Sequence, residues 1–187
     1  MIFEIPHQGQ VWISAFNTRP QNIEQLLRGI AEKYPTVGVQ LVDLDKVPGH
    51  RYLTLATVNA LKSFHSKQPI AKTLPMELLL YISGQKQITE ALARIGVTPQ
   101  THRVAALAVG DSNDQVLTVA KFLADILGQG SDDQLLDDWP QTRIESVRSS
   151  FEIGDKELTA VVQKNEPVTR TIERLATERS AMLAARK

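Results

Sequence analysis

Four lysines carry the main chemical possibility in this chain. Lys62, Lys67 and Lys72 bracket one loop, and Lys86 stands just past the turn Ser83-Gly84, where a helix is expected to begin. An ammonium group meets a phosphate as a point charge, and a helix start adds free backbone N–H groups and the positive end of the helix dipole. The turn Ser83-Gly84-Gln85-Lys86 is therefore half of a phosphate cradle. It lacks the G-x-x-x-x-G-K-[ST] spacing, so nucleoside triphosphate binding is not expected. For any single lysine a solvated surface role is the commoner outcome. The shared position of the four is what points to a local basic patch.

Nothing reactive accompanies these lysines. His7, His50, His65 and His102 are scattered, with no i, i+4 pair and no H-E-x-x-H, so no metal is expected. Asp132, Asp133, Asp137 and Asp138 lack the glycine and the bidentate glutamate of a calcium loop. Asp132 and Asp133 suit a helix start instead. There is no G-x-S-x-G elbow. The absence of cysteine removes thiolate nucleophiles, disulfides and cysteine-ligated metals together. A Ser-His-Asp triad is recognised by geometry, and nothing in the sequence points to one. The residues describe a module that holds a ligand, with no cofactor and no catalysis of its own.

The elements that must position the lysines are readable in outline. The 187 residues, 42% hydrophobic and 22% charged, suit one domain over residues 1–187 with its own core. The 21 basic and 21 acidic side chains cancel, so any nucleic-acid binding must come from a local patch. The N-terminus lacks the basic start and apolar run of a signal peptide. No window reaches the roughly 18 apolar residues of a membrane span. With the lack of cysteine, this predicts a cytoplasmic protein with no membrane contact. Strands are expected over Val11 to Phe16, Val37 to Val42 and Arg103 to Val109. The near-continuous apolar run Met76 to Ile82 reads as a further strand, central in the sheet and covered on both faces, with Glu77 in need of a partner.

Helical spacing places Ile23, Leu26, Leu27 and Ile30 on one buried face, and Leu53, Ala56, Ala60, Leu61 and Phe64 on that of a helix from His50 to Phe64. A helix after Gly84 buries Ile88, Ala91, Leu92 and Ile95. Ser112-Asn113-Asp114-Gln115 and Ser131-Asp132-Asp133-Gln134 read as capping boxes. Gln141 to Ile153 shows no readable pattern, and Asp155 to Gln163 suits a short helix. A final helix turns Val168, Ile172, Leu175 and Leu183 inward and Arg170, Arg174 and Arg179 the other way. Its apolar stripe either docks on the chain's own core or meets another protein in helix-in-groove fashion. The expected fold is α+β, a single mixed or antiparallel sheet of about four strands packed with several helices. A helical portion covers residues from about 130 to 187, after a softer boundary near Gly128–Gly130.

The stretch His50–Ile88 resembles the small Cgi-type kinase-binding subunit of the KEOPS (EKC) complex. The resemblance rests on a histidine opening a helix, on Asn59-Ala60-Leu61-Lys62-Ser63-Phe64, and on Pro69-Ile70-Ala71-Lys72. It continues through Glu77-Leu78-Leu79-Leu80-Tyr81, Ser83-Gly84 and Gln87-Ile88. The segment Arg103-Val104-Ala105-Ala106-Leu107-Ala108-Val109-Gly110 and the helix around Ile172-Glu173-Arg174-Leu175-Ala176 are similar as well. Lys86 stands where arginine is more usual, which weakens any bidentate phosphate contact. Gln141–Glu166 shows no match.

The resemblance implies a subunit without catalytic activity. It binds the atypical small protein kinase of KEOPS and captures the single-stranded 3′ end of tRNA. Through these it serves, indirectly, the transferase subunit that makes threonylcarbamoyl-adenosine. On this view Lys62, Lys67, Lys72 and Lys86 supply charge, and Ile70 and the Ser83-Gly84 backbone contact the terminal bases. Ile172, Leu175 and Leu183 serve the kinase contact. The competing reading from the residues alone is a regulatory domain that binds a small ligand, with an anion held at the turn before Gln85.

Overall fold

The computed structural model describes residues 1–66, 69–128 and 130–185. Strand β1 (Ile2–Ile5) forms a hairpin with β2 (Gly9–Asn17). Helix α1 (Ile23–Lys33) leads to β3 (Gly38–Asp43), and three helices follow: α2 (His50–Phe64), α3 (Leu74–Ser83) and α4 (Ile88–Ile95). Strand β4 (Arg103–Gly110) precedes α5 (Asn113–Leu127), a 3₁₀ turn (Asp133–Asp137), α6 (Gln141–Ser150), α7 (Asp155–Val161) and α8 (Val168–Ala185). The sheet order is β1-β2-β4-β3, and every neighbouring pair is antiparallel. Because β4 is inserted between β2 and β3, those two strands run parallel to each other, with α1 as their crossover.

Alternation along β4 divides the core. Ala105, Leu107 and Val109 face the layer formed by α2, α3, α4, α6 and α8. Val104, Ala106 and Ala108 face α1 and α5. The result is an α+β fold in three layers, with the antiparallel sheet in the middle. Among the described residues no helix is long and apolar enough to cross a membrane.

The largest departure from the sequence reading concerns Met76 to Ile82, which is not a strand. It forms most of α3. The run Leu78-Leu79-Leu80-Tyr81-Ile82 is buried throughout, and a helix buried all round yields the same unbroken apolar pattern as a central strand. Two local signals favour the helix. Pro75 lies in its first turn, where a fixed φ and a missing N–H are harmless. Gly84 follows its last residue with φ 67°, a left-handed helix cap. The fourth strand of the sheet is β1, a segment the sequence reading left unassigned.

The unread segment Gln141 to Ile153 contains α6, and its anchor is Arg143. This side chain is fully buried. Its guanidinium donates to the carbonyls of Val47 (3.1 Å), Leu135 (3.1 Å), Leu136 (3.0 Å) and Asp138 (2.5 Å). Burial pushes its pKa down to about 10. The second expected capping box starts a 3₁₀ turn in place of an α-helix, with the Asp132 carboxylate accepting from the Gln134 N–H at 2.9 Å.

Candidate functional site

The described residues of the predicted RNA site lie at the two ends of α3. At its start, α2 ends with Phe64, and the chain turns back through the loop that carries Ile70 and Lys72. Lys62 in the last turn of α2 and Lys72 before α3 are both exposed. Ile70 is half-buried against the core. Lys67 lies outside the described residues.

This corner is tied by one buried carboxylate. Glu77, in the first turn of α3, is wholly removed from solvent. Its Oε1 accepts from the Ser63 hydroxyl (2.5 Å) and the Ile70 N–H (3.3 Å), and its Oε2 accepts from the Ala71 N–H (2.6 Å). The partner that Glu77 needed is therefore the loop itself. A carboxylate receiving three donors is satisfied without a counter-ion.

Beside the corner, at the free edge of β3, lies a cavity of about 540 Å³. Its lining includes Leu27, Tyr34, Phe64, Leu74 and Met76. That volume falls in the range of about 300–1,000 Å³ usual for small-ligand pockets. A side chain on Gly38 would come within 2.9 Å of Leu74, so glycine lets the β3 edge approach α3 closely. The spacing of α2 places Phe64 on a core face, and nothing in the sequence singles out Tyr34 as a site residue. Their joint role as aromatic walls depends on α1 and α2 meeting at one sheet edge, which no spacing in the sequence encodes.

The other end of α3 holds Ser83, Gly84 and Lys86. Ser83 is buried, and its hydroxyl donates to the Leu80 carbonyl (3.0 Å) and accepts from the Gln85 N–H (3.2 Å). It closes a helix and faces no solvent. Gly84 lies against Arg179 and Ser180 of α8. Lys86 is exposed, one residue before the cap of α4. Two arginines at this end are already matched to acids, Arg94 to Glu152 (2.5 Å) and Arg179 to both oxygens of Glu157 (3.0 and 2.9 Å). The ten residues of α3 separate Lys86 from Lys62 and Lys72, about 15 Å at the helical rise. The structure thus brings Lys62, Lys72 and Ile70 together and sets Ser83, Gly84 and Lys86 apart from them. Glu90 occupies the first turn of α4, so the positive end of that helix already has an acidic neighbour.

The apolar stripe of α8 docks on the chain's own core. Ile172 is 0% exposed, and Leu175 and Leu183 are each 3% exposed. They pack with α2 and α3, where the Ser180 hydroxyl donates to the Tyr81 carbonyl at 2.7 Å and the Tyr52 hydroxyl to the Ile82 carbonyl at 2.7 Å. No partner can touch these three side chains while α8 is seated. The solvent face of α8 shows Val168 and Met182 instead, and α2 shows Leu55. On α4, Ala91 and Ile95 are buried as expected, whereas Ile88 and Leu92 are exposed. Helix α4 packs on one side only, through Ala91 and Ile95, which leaves Ile88 and Leu92 toward solvent.

Residues 18–183 match the family described as kinase binding protein CGI-121. No curated protein matches the chain.

Proposed function

Because the chain belongs to the CGI-121 family of kinase-binding proteins, we propose that it is a non-catalytic accessory subunit of the KEOPS (EKC) complex. In this role it binds the atypical small kinase of that complex and holds a tRNA by its single-stranded 3′ end in the cytoplasm. The transferase subunit, reached indirectly, carries out threonylcarbamoyl-adenosine formation.

The observation that carries the RNA part is the α2–α3 corner, where Lys62 and Lys72 stand beside a cavity walled by Tyr34 and Phe64. Single-stranded ends are gripped by cations along the backbone and by aromatic faces on which bases stack. The terminal nucleotide enters the cavity past Ile70, and Lys62 and Lys72 meet the adjoining phosphates. Lys86, beside the Ser83-Gly84 cap, meets the strand further from its end. The kinase contacts the solvent face of α8. Ile172, Leu175 and Leu183 serve that contact indirectly by holding the helix in place.

A gel-shift comparison of intact tRNA with tRNA trimmed of its 3′ nucleotides tests the reading. Trimming should abolish the shift. Equal retardation of the two would reduce the interaction to generic attraction for a polyanion.

A further inference from the structure

We infer that Glu77 is a positioning residue for RNA capture: its buried carboxylate sets the loop that presents Lys72, and its charge is required for this. The inference rests on the proposed hold on a single-stranded RNA end and adds a residue that never touches the strand. Three donors converge on Glu77, and two of them are the consecutive loop amides Ile70 N–H and Ala71 N–H. The third, the Ser63 hydroxyl, comes from the last turn of α2, adjacent to Lys62. One anion therefore fixes the geometry between the helix that bears Lys62 and the loop that bears Lys72. Both carboxylate oxygens are acceptors here, which no neutral side chain of the same shape provides.

Glu77→Gln isolates the effect. An amide keeps one acceptor and gains a donor. With its oxygen retained on Ser63 and Ile70, its NH₂ group meets the Ala71 N–H, donor against donor. The release falls on the residue immediately before Lys72. The side chain keeps its volume, so the core around Leu78 to Ile82 has no cavity to fill.

The test is a double-mutant cycle on the full chain, read by fluorescence anisotropy with a labelled RNA hexamer of tRNA 3′-end sequence. At 50 mM salt, loss of one lysine–phosphate contact corresponds to about eightfold weaker binding. Glu77→Gln should weaken binding by about that factor. The double variant Glu77→Gln/Lys72→Ala should bind no worse than the weaker single, because both remove the same contact. Combined with Lys62→Ala, the losses should multiply. Hydrogen exchange at the Ile70 and Ala71 amides should accelerate in Glu77→Gln, with the amides of α8 unchanged.

Losses that multiply with Lys72→Ala, or unchanged binding by Glu77→Gln, would overturn the inference and leave the RNA reading intact. A wild-type chain that binds no strand overturns both. Ser63→Ala, which removes one donor and keeps the charge, should show the same coupling at smaller amplitude. It carries the test if Glu77→Gln does not fold.

Discussion

Replacing Lys62, Lys72 and Lys86 one at a time by alanine separates the two ends of α3 and shows how the strand lies. Counterion release from a single strand gives a slope of log affinity against log salt of about −0.7 for each neutralised phosphate. Taken from 1 M down to 50 mM salt, that slope corresponds to about eightfold in affinity per lysine. The distance along α3, about 15 Å for its ten residues, equals about four to five stacked nucleotides at roughly 3.4 Å each. A trinucleotide of 3′-end sequence should therefore sense only Lys62 and Lys72, with a slope of about −1.4, and a heptanucleotide should sense Lys86 as well, with a slope of about −2.1. Lys72→Ala should bring the trinucleotide slope to about −0.7 and weaken binding about eightfold at 50 mM salt. Lys86→Ala should leave the trinucleotide unaffected and weaken the heptanucleotide by a similar factor. Anisotropy titrations between 50 and 500 mM potassium chloride measure all of this. If Lys86→Ala weakens the trinucleotide as much as Lys72→Ala does, the amines act at one point and the division described above is wrong.

Four further outcomes follow from the packing and the charges. Ile172→Glu places an unpaired carboxylate in the core and should destabilise the fold by on the order of 4 kcal/mol. Met182→Glu, at a position 46% exposed, should leave the melting temperature within a few degrees and still reduce co-purification with the kinase; retained binding would move the kinase contact off the outer face of α8. Arg143→Met takes the guanidinium donor from four carbonyls, of which Leu135 still accepts from the Asp138 N–H. Stability should fall by on the order of 3 kcal/mol, read as a lower urea midpoint at an unchanged m-value. The Glu166 carboxyl is held below its usual range by the Thr171 hydroxyl, with help from the Gln163 N–H and Arg174. A depressed carboxyl pKa adds stability above the unfolded value and loses it as pH falls through the folded one. Glu166→Gln should therefore narrow the stability difference between neutral pH and about pH 3, and an unchanged difference would remove Glu166 from the acid response.

The sequence was most legible where pattern and capping agreed. The α2 boundaries, His50 and Phe64, were readable because Leu53, Ala56, Ala60 and Leu61 repeat on one helical face. Helix α5 was readable from the reciprocal bonds of its cap, Ser112 to the Gln115 N–H and the Gln115 side chain to the Asp111 N–H. Pattern failed where burial is complete. Along Leu78 to Ile82 the periodicities of 2 and 3.6 are both erased, so only Pro75 and Gly84 marked the helix. The site was legible in its parts and not in its assembly. The lysines could be found, but a strand at about 3.3 Å per residue would hold Lys86 even farther from Lys72 than the α3 rod of about 15 Å does, so one shared patch needed a fold-back that α3 does not make. Ile88 and Leu92 match a buried stripe in sequence and lie exposed because α4 is covered only on its Ala91 and Ile95 side.

The same rod bears on how the two proposed partners are related. The first turn of α3 holds the loop of Ile70 and Ala71 through Glu77. Its last turn is fastened to α8 by Ser180 on the Tyr81 carbonyl and to α2 by Tyr52 on the Ile82 carbonyl. Between these turns every side chain from Glu77 to Ser83 is buried, so the helix cannot bend without disturbing the core it fills. A kinase on the solvent face of α8 and a strand at the α2–α3 corner are then linked by a stiff, fully packed element. Coupling between sites requires an element whose equilibrium both ligands bias. The two should therefore bind with independent affinities, and kinase-saturated and kinase-free protein should give superimposable RNA titrations. An affinity for the RNA end that shifts severalfold on adding the kinase would mean that the corner or α8 has a second arrangement, or that the kinase itself touches the strand.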